Sequence, residues 1–150
     1  EEVDGKCIDL DGFHDGAVRA NTCINREKLE NYPYGNFGIA LNNTPIVKSE
    51  NISITDNLLE GMKFGGIFVI GAGHHISGNQ MTRLNSAHQP GLLASGIYLA
   101  GGAAKDDPAR NLRIENNVIS GFGMAAHCVQ AAPTVKMSDS VIQNNICRDE

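Results

Sequence analysis

Asp9 and Asp11 are the residues best placed by type and spacing to do chemistry. Two positions apart on a strand, they point to one face, and their carboxyl groups should stand roughly 6 to 7 Å apart. That is near the low end of the separation in inverting glycosidases, so one could serve as general acid and the other as general base. The plainer alternative is that Asp11-Gly12, like Asp15-Gly16, is a turn pair and Asp9 a solvated strand residue. A histidine pair follows, His74-His75. His74 takes an inward position and reads as a hydrogen-bonded core residue, as does His127, whereas His75 points outward beside Ser53 and Arg113, where it suits contact with a ligand.

Four cysteines complete the set. Either all are small buried hydrophobes, or Cys7 pairs with Cys23 and Cys128 with Cys147, which would staple the two ends of the chain. No C-x-x-C occurs, and the Cys and His positions do not follow a zinc-ligand pattern, so a zinc site is not expected.

What must position these residues is a repeat, and residues 66–81 show it with least interruption. Ile67-x-Val69 and His74-x-Ile76 flank Gly71-Ala72-Gly73, and Asn79 turns the chain into Met81. The same inward position is filled by Ile8, Ile39, Ile67, Ile97 and His127, at steps of 31, 28, 30 and 30 residues. Its partner two residues on is Leu10, Leu41, Val69, Leu99 or Val129. The corner asparagine recurs as Asn21, Asn57, Asn79, Asn117 and Asn145, each preceded three positions earlier by Val18, Ile54, Ile76, Ile114 or Ile142.

Units of this length bury their inward residues only by stacking on one another. The pattern predicts an all-β fold, a right-handed parallel β-helix (a solenoid) of about five turns, as a single domain over residues 1–150. The five asparagines should stack into an amide ladder, as in other in-register arrays. An antiparallel sandwich would not need the same asparagine at the same step of every unit.

On such a coil the outward strand positions form flat faces. The first-strand face should carry Asp9, Ala40, Phe68, Tyr98 and Cys128 in one column, with Asp11, Asn42, Ile70, Ala100 and Gln130 beside it. Polar excursions interrupt the units at residues 25–37, which hold Lys28, Glu30, Tyr32, Pro33 and Tyr34, and at 42–50, 85–95 and 101–110. The chain opens on an acidic stretch, residues 1–4, with no capping helix.

Only 5% of residues are aromatic and 41% are hydrophobic, so the core must come from Ile, Val, Leu and Ala. A formal charge of −5 without a basic cluster argues against nucleic acid and anionic membranes. No stretch approaches the roughly 18 apolar residues of a membrane span.

The run Gly-Ile-x-[Leu/Val] followed by [Asn/His/Arg]-[Ile/Leu]-x-Ile-x-x-Asn, seen within residues 38–59 and 96–119, resembles the right-handed parallel β-helix proteins of the pectate-lyase-like superfamily. It is most similar to the bacterial β-helix repeat group related to a periplasmic copper-enzyme maturation factor. The resemblance covers nearly the whole chain and implies the fold strongly and an activity weakly. Of the motifs of polygalacturonase-type hydrolases, Gly73-His74-His75 is the nearest match and Thr55-Asp56-Asn57 is only superficially similar, so that activity is not carried over. A lyase of this superfamily would use an Arg or Lys base, for which Arg113 and Lys63 are available. It would also bind calcium, through Asp9, Asp11 and Asp15. Copper handling would need clustered ligands, and His74, His75 and Met81 are the ones at hand.

Three function classes follow: a carbohydrate-binding or adhesive module, a structural solenoid that stacks end to end, and a polysaccharide-processing lyase or hydrolase using Asp9 and Asp11. The first two are favoured, because five units are few for a saccharide-cleaving β-helix and the uncovered ends suggest a segment of a longer coil or an assembling piece. The expected ligand contacts are Asn42, Phe68, Tyr98, His75 and Arg113, with no cofactor other than a calcium option. The expected location is secreted, periplasmic or at the cell surface.

Overall fold

A computed structural model describes residues 5–26, 37–104 and 107–150. The acidic opening, the excursion carrying Lys28, Glu30, Tyr32, Pro33 and Tyr34, and residues 105–106 lie outside this set. Fifteen short strands run through five coils, three to a coil. The first coil holds β1 (Ile8–Asp11), β2 (His14–Arg19) and β3 (Thr22–Ile24). The second holds β4 (Ile39–Asn42), β5 (Glu50–Thr55) and β6 (Leu58–Glu60), and the third β7 (Ile67–Val69), β8 (His75–Ser77) and β9 (Gln80–Leu84). The fourth holds β10 (Ile97–Leu99), β11 (Arg113–Glu115) and β12 (Val118–Gly121), and the fifth β13 (Val129–Ala131), β14 (Val141–Gln143) and β15 (Ile146–Asp149). Two short 3-10 turns, Leu92–Ala94 and Met137–Asp139, are the only helical elements among the described residues. Among the described residues no helix is long and apolar enough to cross a membrane.

Equivalent strands pair in parallel into three five-stranded sheets, ordered β1-β4-β7-β10-β13, β2-β5-β8-β11-β14 and β3-β6-β9-β12-β15. This is a parallel β-helix of five turns, coiled in the right-handed sense that parallel crossovers take. Ile39, Ile67 and Ile97 stack in register and are fully buried, as are Leu41, Val69 and Leu99 two positions on. Aliphatic side chains in line on a pleated surface are what such a core requires.

The fifth coil departs from the expected register. Val129 lies opposite Ile97, and Gln130 opposite Tyr98, so the step is 32 residues and not 30. His127 is exposed at the end of the turn that carries Phe122, and so is not a core histidine. Cys128 likewise leaves the outward column. It precedes Val129 at the position that Cys7, Gly38, Gly66 and Gly96 occupy in the other coils. The physical reason is simple: the connection over residues 122–128 holds two additional residues, and an apolar Val fits the open end of the core where an imidazole would need partners.

Cys7 is bonded to Cys23 and Cys128 to Cys147, with Cα–Cα separations of 6.1 and 5.6 Å. Cys23 and Cys147 belong to the inward column of the third sheet, with Leu59, Met81 and Ile119 between them. Each terminal coil is therefore closed by a disulfide, where each interior coil sets a glycine against a large apolar side chain.

The asparagine ladder is complete. Asn21, Asn57, Asn79 and Asn117 each donate from Nδ2 to the Oδ1 of the next asparagine at 2.9 to 3.0 Å. The backbone N–H of each donates to that same oxygen at 3.0 to 3.1 Å. The second Nδ2 hydrogen of Asn57, Asn79, Asn117 and Asn145 reaches back to the carbonyl of Val18, Ile54, Ile76 or Ile114 in the preceding coil. Each interior asparagine thus joins three coils and satisfies the backbone at a corner that strands cannot pair. The ladder is structural: the side-chain amides of its interior asparagines are all engaged in it.

Candidate functional site

The outer face of the first sheet gathers most of the expected residues. In register it presents Asp9, Ala40, Phe68, Tyr98 and Gln130. At one strand per roughly 4.8 Å, Asp9 and Tyr98 stand about 14 Å apart along the coil. Phe68 and Tyr98 are half-buried, with ring centroids 5.7 Å apart and planes tilted by 56°. Phe37 meets Phe68 edge-on at 6.0 Å and Phe64 at 6.1 Å, so four rings form one continuous surface. Phe37 and Phe64 were not anticipated. They sit just before the glycines that open β4 and β7, outside any strand pattern, and that adjacency was the signal available.

Asp9 is exposed and engaged, receiving hydrogen bonds from Lys6 Nζ at 2.8 Å and from Asn42 Nδ2 at 3.0 Å. Asn42 therefore belongs to this face through the carboxylate beside it. Asp11 is exposed at the end of β1. The loops after β4 and β10 meet at the rim of this face. Asp107 accepts from Lys48 Nζ at 2.7 Å and Asn43 Nδ2 at 2.8 Å on one oxygen, and from the Ala103 and Ala104 N–H groups at 3.1 and 2.7 Å on the other. These contacts, Lys48 foremost, hold its carboxyl well below the usual carboxylate range. A pocket of about 390 Å³ lies between the loops, lined by Asn43, Thr44, Pro45, Lys48, Ala103, Ala104 and Asp107.

His75 and Arg113 lie on a different face, that of the second sheet, in register with Ser53 as expected. The sequence reading overlooked the residue that organises them. Glu115 is nearly buried and accepts from Arg113 Nε at 2.6 Å and Gln143 Nε2 at 2.9 Å, with His75 Nε2 at 3.3 Å. Arg113 first, then Gln143, hold its carboxyl down at about 2. The cluster is internally paired, so this face offers less to a ligand than the aromatic one.

His74 is a core residue, as expected. Its Nδ1 accepts from the Ile52 N–H at 3.1 Å and its Nε2 lies 3.0 Å from the Ile70 carbonyl, which assigns the proton to Nε2. Burial lowers its pKa. Lys63 is buried at the turn between the second and third coils. Met81 is buried in the third sheet, so His74, His75 and Met81 point to three different surroundings. Among the described residues no group of three or more His, Cys, Asp or Glu side chains is close enough to hold a metal ion, so Asp9, Asp11 and Asp15 do not form a calcium cluster.

No family model, curated protein or solved structure matches the chain.

Proposed function

We propose that the protein is an extracellular β-helix module that binds carbohydrate along the outer face of its first sheet. The observation that carries this reading is the Phe68–Tyr98 pair, two half-buried rings on adjacent strands of a flat wall with carboxylates and an amide at one end and Gln130 at the other. Aromatic surfaces cover the apolar C–H face of a sugar, while carboxylates and amides accept from and donate to its hydroxyls. Asp9, already engaged by Lys6 and Asn42, suits positioning of a hydroxyl better than proton transfer, which favours binding over cleavage. The two disulfides support an oxidising compartment.

The test is a binding screen against uronate and neutral polysaccharides, with unsaturated products and new reducing ends monitored in the same samples. Binding without either product is expected. Tyr98→Ala and Asp9→Ala should each weaken the affinity roughly tenfold, the effect of losing one 1.4 kcal/mol contact, while leaving the melting temperature nearly unchanged. Lost stability with unchanged affinity would assign the rings to packing, and product formation would move the protein into the enzyme class with Asp9 and Asp11 as its first suspects.

A further inference from the structure

Four strand steps separate Asp9 from Gln130 in the outward column of the first sheet, with Ala40, Phe68 and Tyr98 on the strands between them. At roughly 4.8 Å per step the column is about 19 Å long. A ligand that covers both rings and reaches both polar ends must lie along the coil axis. The ring planes are tilted by 56° to each other, which gives successive sugars of one chain separate surfaces instead of a single plane. The Tyr98 hydroxyl bonds to none of the described residues and stands beside them for a sugar hydroxyl. We propose that the ligand is a neutral polysaccharide whose sugars carry all their ring substituents equatorially, bound with its chain parallel to the coil axis. This rests on the reading of that face as a carbohydrate site, and adds which carbohydrate it takes and in which direction.

Shape and charge both select this class. The rings are half-buried and offer carbon surface to a ligand. A pyranose covers such surface with its C–H bonds only where its hydroxyls lie near the plane of the ring. An axial oxygen, as at C4 of galactose and galacturonic acid, would be pressed against carbon without a partner, which costs binding. Charge disfavours uronates on separate grounds. Lys6 is committed to Asp9 at 2.8 Å, and Lys48 to Asp107 at 2.7 Å at the rim. Asp11 is exposed at the end of β1 with no cation beside it among the described residues. A polymer with a carboxylate on every sugar would bring negative charge to a face whose lysines are already paired, on a chain of formal charge −5.

Calorimetric titration at low salt tests this, with β-1,4-linked xylo-, cello- and galacto-oligosaccharides and oligogalacturonates of matched lengths. The xylo- or cello-series should bind, with affinity climbing to about four sugars, one per strand step, and then levelling. Galacto-oligosaccharides, uncharged but axial at C4, should bind on the order of tenfold more weakly, the loss of about one good contact. Oligogalacturonates should bind more weakly still, and that gap should narrow at high salt, where charges are screened. Asp11→Asn should narrow it at low salt, because one repelling carboxylate is gone. Galacto-oligosaccharides or oligogalacturonates that bind as tightly as the all-equatorial series, affinity that levels at the disaccharide, or a gap indifferent to salt and to Asp11→Asn would each overturn the proposal and leave the carbohydrate site standing. Binding of no sugar in any series would remove that site, and the proposal with it.

Discussion

A Cβ placed on Gly66 would lie 2.5 Å from Met81 Sδ, closer than any side chain tolerates. The relationship repeats in the neighbouring coils, where Gly38 faces Leu59 and Gly96 faces Ile119, each also at 2.5 Å. The first sheet gives up its side chain here so that the third sheet can fill the space, and in the terminal coils the same two positions are joined as Cys7–Cys23 and Cys128–Cys147. Gly66→Ala should therefore cost about 1 to 3 kcal/mol through overpacking. Gly5, where an added Cβ meets nothing within 4 Å, is the control, and Gly5→Ala should stay within about 0.5 kcal/mol. Urea midpoints of the two variants measure both; equal midpoints would mean that the Gly66 site yields.

The ladder predicts a gradient along the coil. Asn79→Leu strands the Asn57 N–H and Nδ2 group and the Ile54 carbonyl and takes one of two donors from the Asn117 oxygen, all buried. At about 1 to 3 kcal/mol for each stranded group, the loss should reach several kcal/mol and show as a large drop in the urea midpoint. Asn145→Leu strands the Asn117 donors beside solvent at the open end and should cost clearly less. A larger effect at Asn145 than at Asn79 would contradict the ladder as the main corner restraint.

Much of this was legible in the residue order, and the exceptions have specific causes. The five asparagines and the column from Ile8 to Ile97 could be read because one residue type recurs at a nearly constant step. The fifth coil was misread because strand side chains alternate with a period of two. A two-residue slip from Val129 to His127 keeps every side chain facing the same way, and only burial exposes it. Glu115 escaped notice because its column otherwise holds Arg19, Thr55, Ser77 and Gln143, a polar series with no repeating carboxylate. The aromatic face was half visible: Phe68 and Tyr98 obey the alternation, and Phe37 and Phe64 stand outside it.

A backbone rule also lay hidden behind varied side chains. The residue before each ladder asparagine is left-handed: Ala20, Asp56, Gly78, Asn116 and Asn144 have φ of 54°, 57°, 66°, 58° and 55°. Gly, Asn and Asp take this conformation readily, but it costs an alanine roughly 1 to 2 kcal/mol. Ala20 is exposed and free of packing constraints, so Ala20→Asn should stabilise the protein by about 1 kcal/mol, and the β-branched Ala20→Val should destabilise it. Thermal or urea unfolding gives the sign directly, and an Asn variant weaker than Ala would count against this account of the corner.

Acid should unfold the protein in two separable steps, because His74 and Glu115 both resist protonation in the fold. Burial depresses the His74 pKa below 6.5, so below that pH the unfolded chain takes up a proton that the folded one refuses. Stability is complete above pH 6.5 and declines as pH falls beneath it. Glu115, held from 4.5 to about 2 chiefly by Arg113, contributes stability above pH 4.5 that is lost as pH falls from there toward 2. His74→Leu should flatten the first decline at the cost of about 1 to 3 kcal/mol at neutral pH for the stranded Ile52 N–H and Ile70 carbonyl. Glu115→Gln should reduce only the second, leaving the part that Asp107, also held low by Lys48, carries. Melting temperatures of the three proteins from pH 8 to pH 2 measure both slopes, and a His74→Leu protein that still loses stability between pH 6.5 and the carboxylate range would show that another group carries the first step.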